Sequence, residues 1–148
     1  MYDFLDLEAF PLNQTDSAAY GALVARCKAD LARDGMFNLD GFLRPEAALA
    51  EAAAHDPKMA SESFNHARHH NIYFKKSVPD LDEDHPALKL HETSNNTLCS
   101  DQLTGSRVAQ IYQWPPFVAF LAEVMEKDKL HPMADPVAAF TVIAHAEG

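Results

Sequence analysis

Arg68-His69-His70-Asn71-Ile72-Tyr73 is the stretch whose side chains are best suited to binding a small polar molecule. A guanidinium grips a carboxylate with two parallel hydrogen bonds, and a neighbouring imidazole or carboxamide can fix the rest of the ligand. Arg68 is the expected carboxylate clamp, with His69, His70 and Asn71 as helpers; the alternative is a hydrated surface loop. His66, His69 and His70 also have helical spacing and invite a metal site, but near neighbours rarely complete a coordination sphere, and a polar turn explains them as well. Glu92, with Asn95 and Asn96 beside it, could receive a substrate ammonium. The run Thr93-Ser94-Asn95-Asn96 could equally make a turn by bonding its own backbone.

Other constellations carry less. His145 and Glu147 lie two apart, so on a strand both would point to one side and could reach one ion, though no third ligand can be named. The acidic run Asp80-Leu81-Asp82-Glu83-Asp84 lacks the glycine and the terminal bidentate glutamate of an EF-hand loop and reads as solvated loop. Trp114, between Gln113 and Pro115, reads as a core or hinge aromatic. No Gly-x-Ser-x-Gly, phosphate loop or dinucleotide fingerprint occurs. Cys99 has no activating neighbours, and Cys27 falls on the apolar side of an expected helix, which argues against a disulfide framework and for a reducing cytoplasm.

These groups have to be positioned by a chain of 148 residues, 47% of them hydrophobic, enough for one ordinary domain with a core. A formal charge of −10 opposes the phosphate neutralisation that dominates nucleic-acid affinity, so DNA and RNA are set aside. The amino terminus carries acid where a secretory signal carries base, and no apolar run approaches the ~20 residues of a membrane helix. A water-soluble protein is expected.

Thr15 to Gly35 is predicted helical, with Tyr20, Leu23, Val24, Cys27 and Leu31 at steps of three and four. Gly35 ends it as a left-handed residue. Met36–Leu39 reads as a short strand, Asp40-Gly41 as a turn, and Pro45 opens an alanine-rich helix that Asp56-Pro57 stops. Lys58 to Cys99 has weak periodicity and is expected to be mostly loop around one short segment, Asn71–Phe74. A short helix follows through Val108, Ile111 and Tyr112. Pro115-Pro116 opens another that places Phe117, Phe120, Leu121, Val124 and Met125 on one side. Val137 through Ile143 reads as a strand.

Leu31 to Glu46, with helix, Asp-Gly, short strand and Gly-Phe-Leu leading into a second helix, is similar to the opening of many iron(II) and 2-oxoglutarate dependent oxygenases. Leu88 to Gly148 resembles one branch of that superfamily, which includes amino-acid hydroxylases and halogenases. His91-Glu92-Thr93, Tyr112-Gln113-Trp114-Pro115, Met133-Ala134-Asp135-Pro136 and Ala139–Ile143 carry the likeness. The resemblance implies an α+β fold in which amino-terminal helices pack on the beginning of an incomplete double-stranded β-helix, or jelly roll. It implies a substrate that is small and polar or amino-acid-like, with Fe(II) and 2-oxoglutarate as cofactors of a longer parent. In that family a His-x-Asp or His-x-Gly, a distal His and an Arg hold iron and cosubstrate, and this sequence contains no His-x-Asp. The expectation is therefore a single, truncated amino-terminal portion spanning 1–148, with no catalytic residues, no metal ligands and no tight cofactor binding of its own. A binding or interaction domain without chemistry is the alternative.

Overall fold

The computed structural model describes residues 3–145. Its order is α1 (Ala18–Asp34), α2 (Pro45–Glu62), β1 (Phe64–His70), β2 (His91–Cys99), α3 (Arg107–Tyr112), α4 (Pro115–Val124) and β3 (Thr141–His145), with short 3-10 turns at Pro86–Leu88 and Ser100–Leu103. This is an α+β fold: four helices and a three-stranded antiparallel sheet in the order β1-β2-β3 among the described residues.

The first helix forms as its periodicity predicts. Ser17 Oγ accepts from the Tyr20 amide at its start, and Gly35, at φ 73°, closes its end with its amide on the Leu31 carbonyl. Tyr20, Leu23, Val24 and Cys27 are its buried face. Against them lie Phe120 and Val124 of α4, Ile111 of α3 and Phe42. Phe120, fully buried, meets both Tyr20 and Phe37 edge-to-face at 6.2 Å. The amino-terminal strap completes this core: Phe4, Leu5, Leu7, Phe10 and Leu12 are all buried. Backbone bonds from Asp6 N to Phe42 O and from Arg44 N to Phe4 O tie the strap to the turn before α2.

Four expectations about the elements are corrected. Met36–Leu39 is not a strand; Leu43 instead bridges to Leu5. The second helix runs through Pro57 to Glu62 rather than stopping at Asp56. Pro57 and Ala53 are both exposed, so the carbonyl that loses its partner faces water, and the alanine-rich sequence sustains the helix across the defect. The stretch Lys58–Cys99, expected to be mostly loop, contains the last turn of α2 and both long strands, paired from Phe64↔Thr97 to His70↔His91. Neither strand alternates apolar and polar residues, because both faces of the sheet are largely solvated; cross-strand pairing, not propensity, makes them strands. Asn71–Phe74 is the turn that leaves β1, and Val137–Phe140 precedes β3 as a turn in which the Asp135 carboxylate accepts from the Ala138 and Val137 amides.

Candidate functional site

The strand register sorts the chemistry-bearing residues. Side chains alternate along a strand, so Phe64, His66, Arg68 and His70 share one face with Thr97, Asn95, Thr93 and His91 opposite them. His145 joins that face across Asn95. The other face carries His69 with Glu92, and His69 Nε2 lies 3.6 Å from Glu92 Oε2. The helical spacing of His66, His69 and His70 is thus not realised, and His69 points away from the other two.

Arg68, His69, His70 and Asn71 nevertheless border one hollow of about 360 Å³, completed by Phe74, Lys75, Lys76 and Leu90. The turn that shapes it is held by Asn71, which is buried. Its Oδ1 accepts from the Tyr73 and Lys75 amides at 3.1 and 3.2 Å, and its Nδ2 donates to the Lys75 carbonyl. Asn71 is therefore a turn-builder, with Oδ1 and one Nδ2–H bonded to the backbone of the turn. Phe74 stacks on the His70 ring at 4.2 Å, while His70 Nε2 lies 3.2 Å from Thr93 Oγ1 and Nδ1 3.0 Å from the Asn71 carbonyl. The Arg68 guanidinium lies 3.3 Å from the His66 ring nitrogens and forms no ion pair with a carboxylate among the described residues. Arg68, Lys75, Lys76 and two histidines thus border one hollow in a chain of net charge −10. Such a hollow is suited to a small anion, above all a carboxylate.

Glu92 lies outside this hollow, exposed beside His69. Its expected helpers are spoken for: Asn95 Oδ1 accepts from Thr97 Oγ1 at 2.9 Å and Asn96 Oδ1 from Asn65 Nδ2 at 3.1 Å. Asn96 ties β2 to β1 and Asn95 is braced within β2, so neither amide frames an ammonium site.

Among the described residues no three His, Cys, Asp or Glu side chains converge where a metal ion could be held. Glu147 lies outside the described residues, so its pairing with His145 has no structural account. His66 has a cationic guanidinium against its nitrogens, and His70 is occupied by Thr93 and Asn71. The described residues therefore do not fit the iron that the family resemblance implies for the longer parent. Burial raises the Cys27 thiol pKa, which suits an inert core thiol.

One constellation escaped the sequence reading. Glu51 on α2 accepts from Ser106 Oγ and from the Arg107 amide, both at 2.7 Å. His55, one turn on, places Nδ1 2.7 Å from the Glu51 carbonyl and Nε2 3.8 Å from the Glu51 carboxylate. Lys58, a further turn along, donates to the Gln102 carbonyl at 2.6 Å, and a cavity of about 190 Å³ separates these groups from Thr104 and Gly105. The Ser106 hydroxyl donates to the carboxylate, not to the imidazole, so this is no nucleophile and base; it is a polar strut fastening α2 to the start of α3. The only available signal was Glu51, His55 and Lys58 on one side of an alanine-rich helix.

No family model matches this chain, and no curated protein and no solved structure matches it either.

Proposed function

We propose that this chain is the substrate-holding amino-terminal part of an iron(II) and 2-oxoglutarate dependent oxygenase, and that the hollow at the end of β1 takes the carboxylate of a small polar or amino-acid-like substrate. The observation that carries the reading is the hollow itself, where Arg68, Lys75 and Lys76 concentrate positive charge in an acidic chain around a preformed turn. Arg68 would supply the bidentate grip, His70 a hydrogen bond, and the Phe74 ring an apolar wall. The oxygenase part rests on the sequence likeness and on the sheet, whose two largely solvated faces suit the first strands of a jelly roll awaiting a facing sheet. In such a parent, Fe(II) with 2-oxoglutarate would supply the oxidant for a C–H bond while this part orients the substrate. The hollow also suits the alternative, a small-molecule binding domain without chemistry.

The test combines two titrations. Amide NMR spectra are recorded with a panel of free amino acids and small carboxylates, and anaerobic Fe(II) plus 2-oxoglutarate is followed through the visible charge-transfer band. Carboxylate-dependent shifts centred on Arg68, His70 and Lys75, lost in Arg68→Ala, are expected, with no band from this chain. Absence of such shifts removes the ligand site, and a band from this chain alone contradicts the division of labour proposed. A reading frame past Gly148 that encodes no His-x-Asp or His-x-Gly leaves only the binding-domain reading.

A further inference from the structure

We propose that the connection between β1 and β2 is a self-association surface, on which two copies of the chain dock with Lys75 and Lys76 of each against the acidic run Asp80–Asp84 of the other, burying Ile72 and Phe74 between them. Three observations carry this independently of the proposed ligand. First, large apolar side chains are concentrated on this connection: Ile72 and Phe74 are each 65% exposed and Leu90 62%. Scattered exposed apolar residues are ordinary, but a cluster rimmed by charge marks a contact surface. Second, the turn presenting them is built rather than loose. Asn71, 3% exposed, collects the Tyr73 and Lys75 amides and the Lys75 carbonyl, and Phe74 is held at φ 53°, a conformation that bulky residues avoid.

Third, the charges of this connection are left over. Among the described residues none of Lys75, Lys76, Asp80, Asp82, Glu83 or Asp84 makes an ion pair within the chain. Between the two sets the chain turns at Val78–Leu81, with the Leu81 amide on the Val78 carbonyl, and Asp80 adopts φ 67°. A basic-apolar patch followed at once by an acidic one is self-complementary under a two-fold axis: each copy offers what the other lacks, and the contact closes at two. An anionic membrane fits worse, because the acidic run and the net charge of −10 oppose it. In the docked pair the partner's carboxylates lie over the hollow, so a small carboxylate and a second copy compete for Lys75 and Lys76.

The experiment is sedimentation velocity on the full chain without added carboxylate, over a micromolar to submillimolar series at two salt concentrations. A monomer–dimer equilibrium that weakens with salt is expected. Lys75→Glu with Lys76→Glu weakens it about tenfold or more, Asp82→Lys with Glu83→Lys does the same, and mixing the two variants restores a heterodimer. Ile72→Ser weakens it with unchanged circular dichroism. A monomer at every concentration overturns the proposal, as does a dimer indifferent to both charge reversals or sedimentation of the chain with phosphatidylserine vesicles in place of self-association. Because ligand binding is read separately by NMR, a dimer that binds no carboxylate sinks only the ligand reading.

Discussion

Replacing Glu51 by alanine tests whether the carboxylate that joins α2 to α3 is a structural strut. The side chain is 14% exposed and accepts two hydrogen bonds at 2.7 Å, from Ser106 Oγ and the Arg107 amide. Bonds to a charged group contribute about 1.5–3 kcal/mol each, and the part-exposed geometry and water entering the space offset some of that, so a loss of about 3 kcal/mol is expected. At about 2–4 °C per kcal/mol for a chain of this size, the thermal midpoint falls by about 6–12 °C. Glu51→Gln keeps one good acceptor and loses about 1 kcal/mol. Urea denaturation with Glu51→Ala, Ser106→Ala and the double variant isolates the pair, whose coupling is expected at about 1–2 kcal/mol. Strict additivity, or a loss from Glu51→Ala below about 0.5 kcal/mol, would refute the strut and reopen Glu51 and His55 as free acid-base groups.

Tyr20 donates to Glu123 Oε2 at 2.8 Å, and burial first, then that carboxylate, push its pKa up to about 12. Because the folded value lies above the unfolded one, near 10, this stabilisation is fully present below pH 10 and is lost as pH rises towards 12. A phenolate absorbance titration is expected to show one tyrosine lagging the others, and Tyr20→Phe removes that phase. Asp135 is held below the ordinary carboxylate range by the Ala138 and Val137 amides, so the turn before β3 keeps its support above that range and loses it as pH falls through the depressed value. Hydrogen exchange at those two amides is expected to quicken in Asp135→Ala at neutral pH, and unchanged protection argues against the turn. Phe120→Ala empties a fully buried position between Tyr20 and Phe37 and is expected to cost about 3–5 kcal/mol in chemical denaturation. Gly35→Ala forces a side chain onto φ 73° and is expected to cost about 1 kcal/mol.

What the sequence determined by itself is the part of the molecule governed by local rules. Ser17 and Gly35 bracket a helix whose apolar steps of three and four mark its buried side, and Pro115-Pro116 opens α4 with Phe120 and Val124 inward. Arg68, His69, His70 and Asn71 were recognisable as a group because residue type and proximity are visible in one dimension, and they do border one hollow. Tertiary structure decided the rest. Phe64–His70 and His91–Cys99 have no alternating pattern to betray them, since a sheet solvated on both faces imposes none; only their mutual hydrogen bonding makes them strands. That pairing then fixed which side each histidine faces and sent His69 and Glu92 to one face and His66, Arg68 and His70 to the other, while the Asn71 turn set Lys75 beside the hollow. The amino-terminal strap is the clearest case. Phe4, Leu5, Leu7, Phe10 and Leu12 follow neither helical nor strand spacing, yet all are buried, because the surface they cover is assembled from α1, α4 and Phe42, distant in sequence and adjacent only in the folded chain.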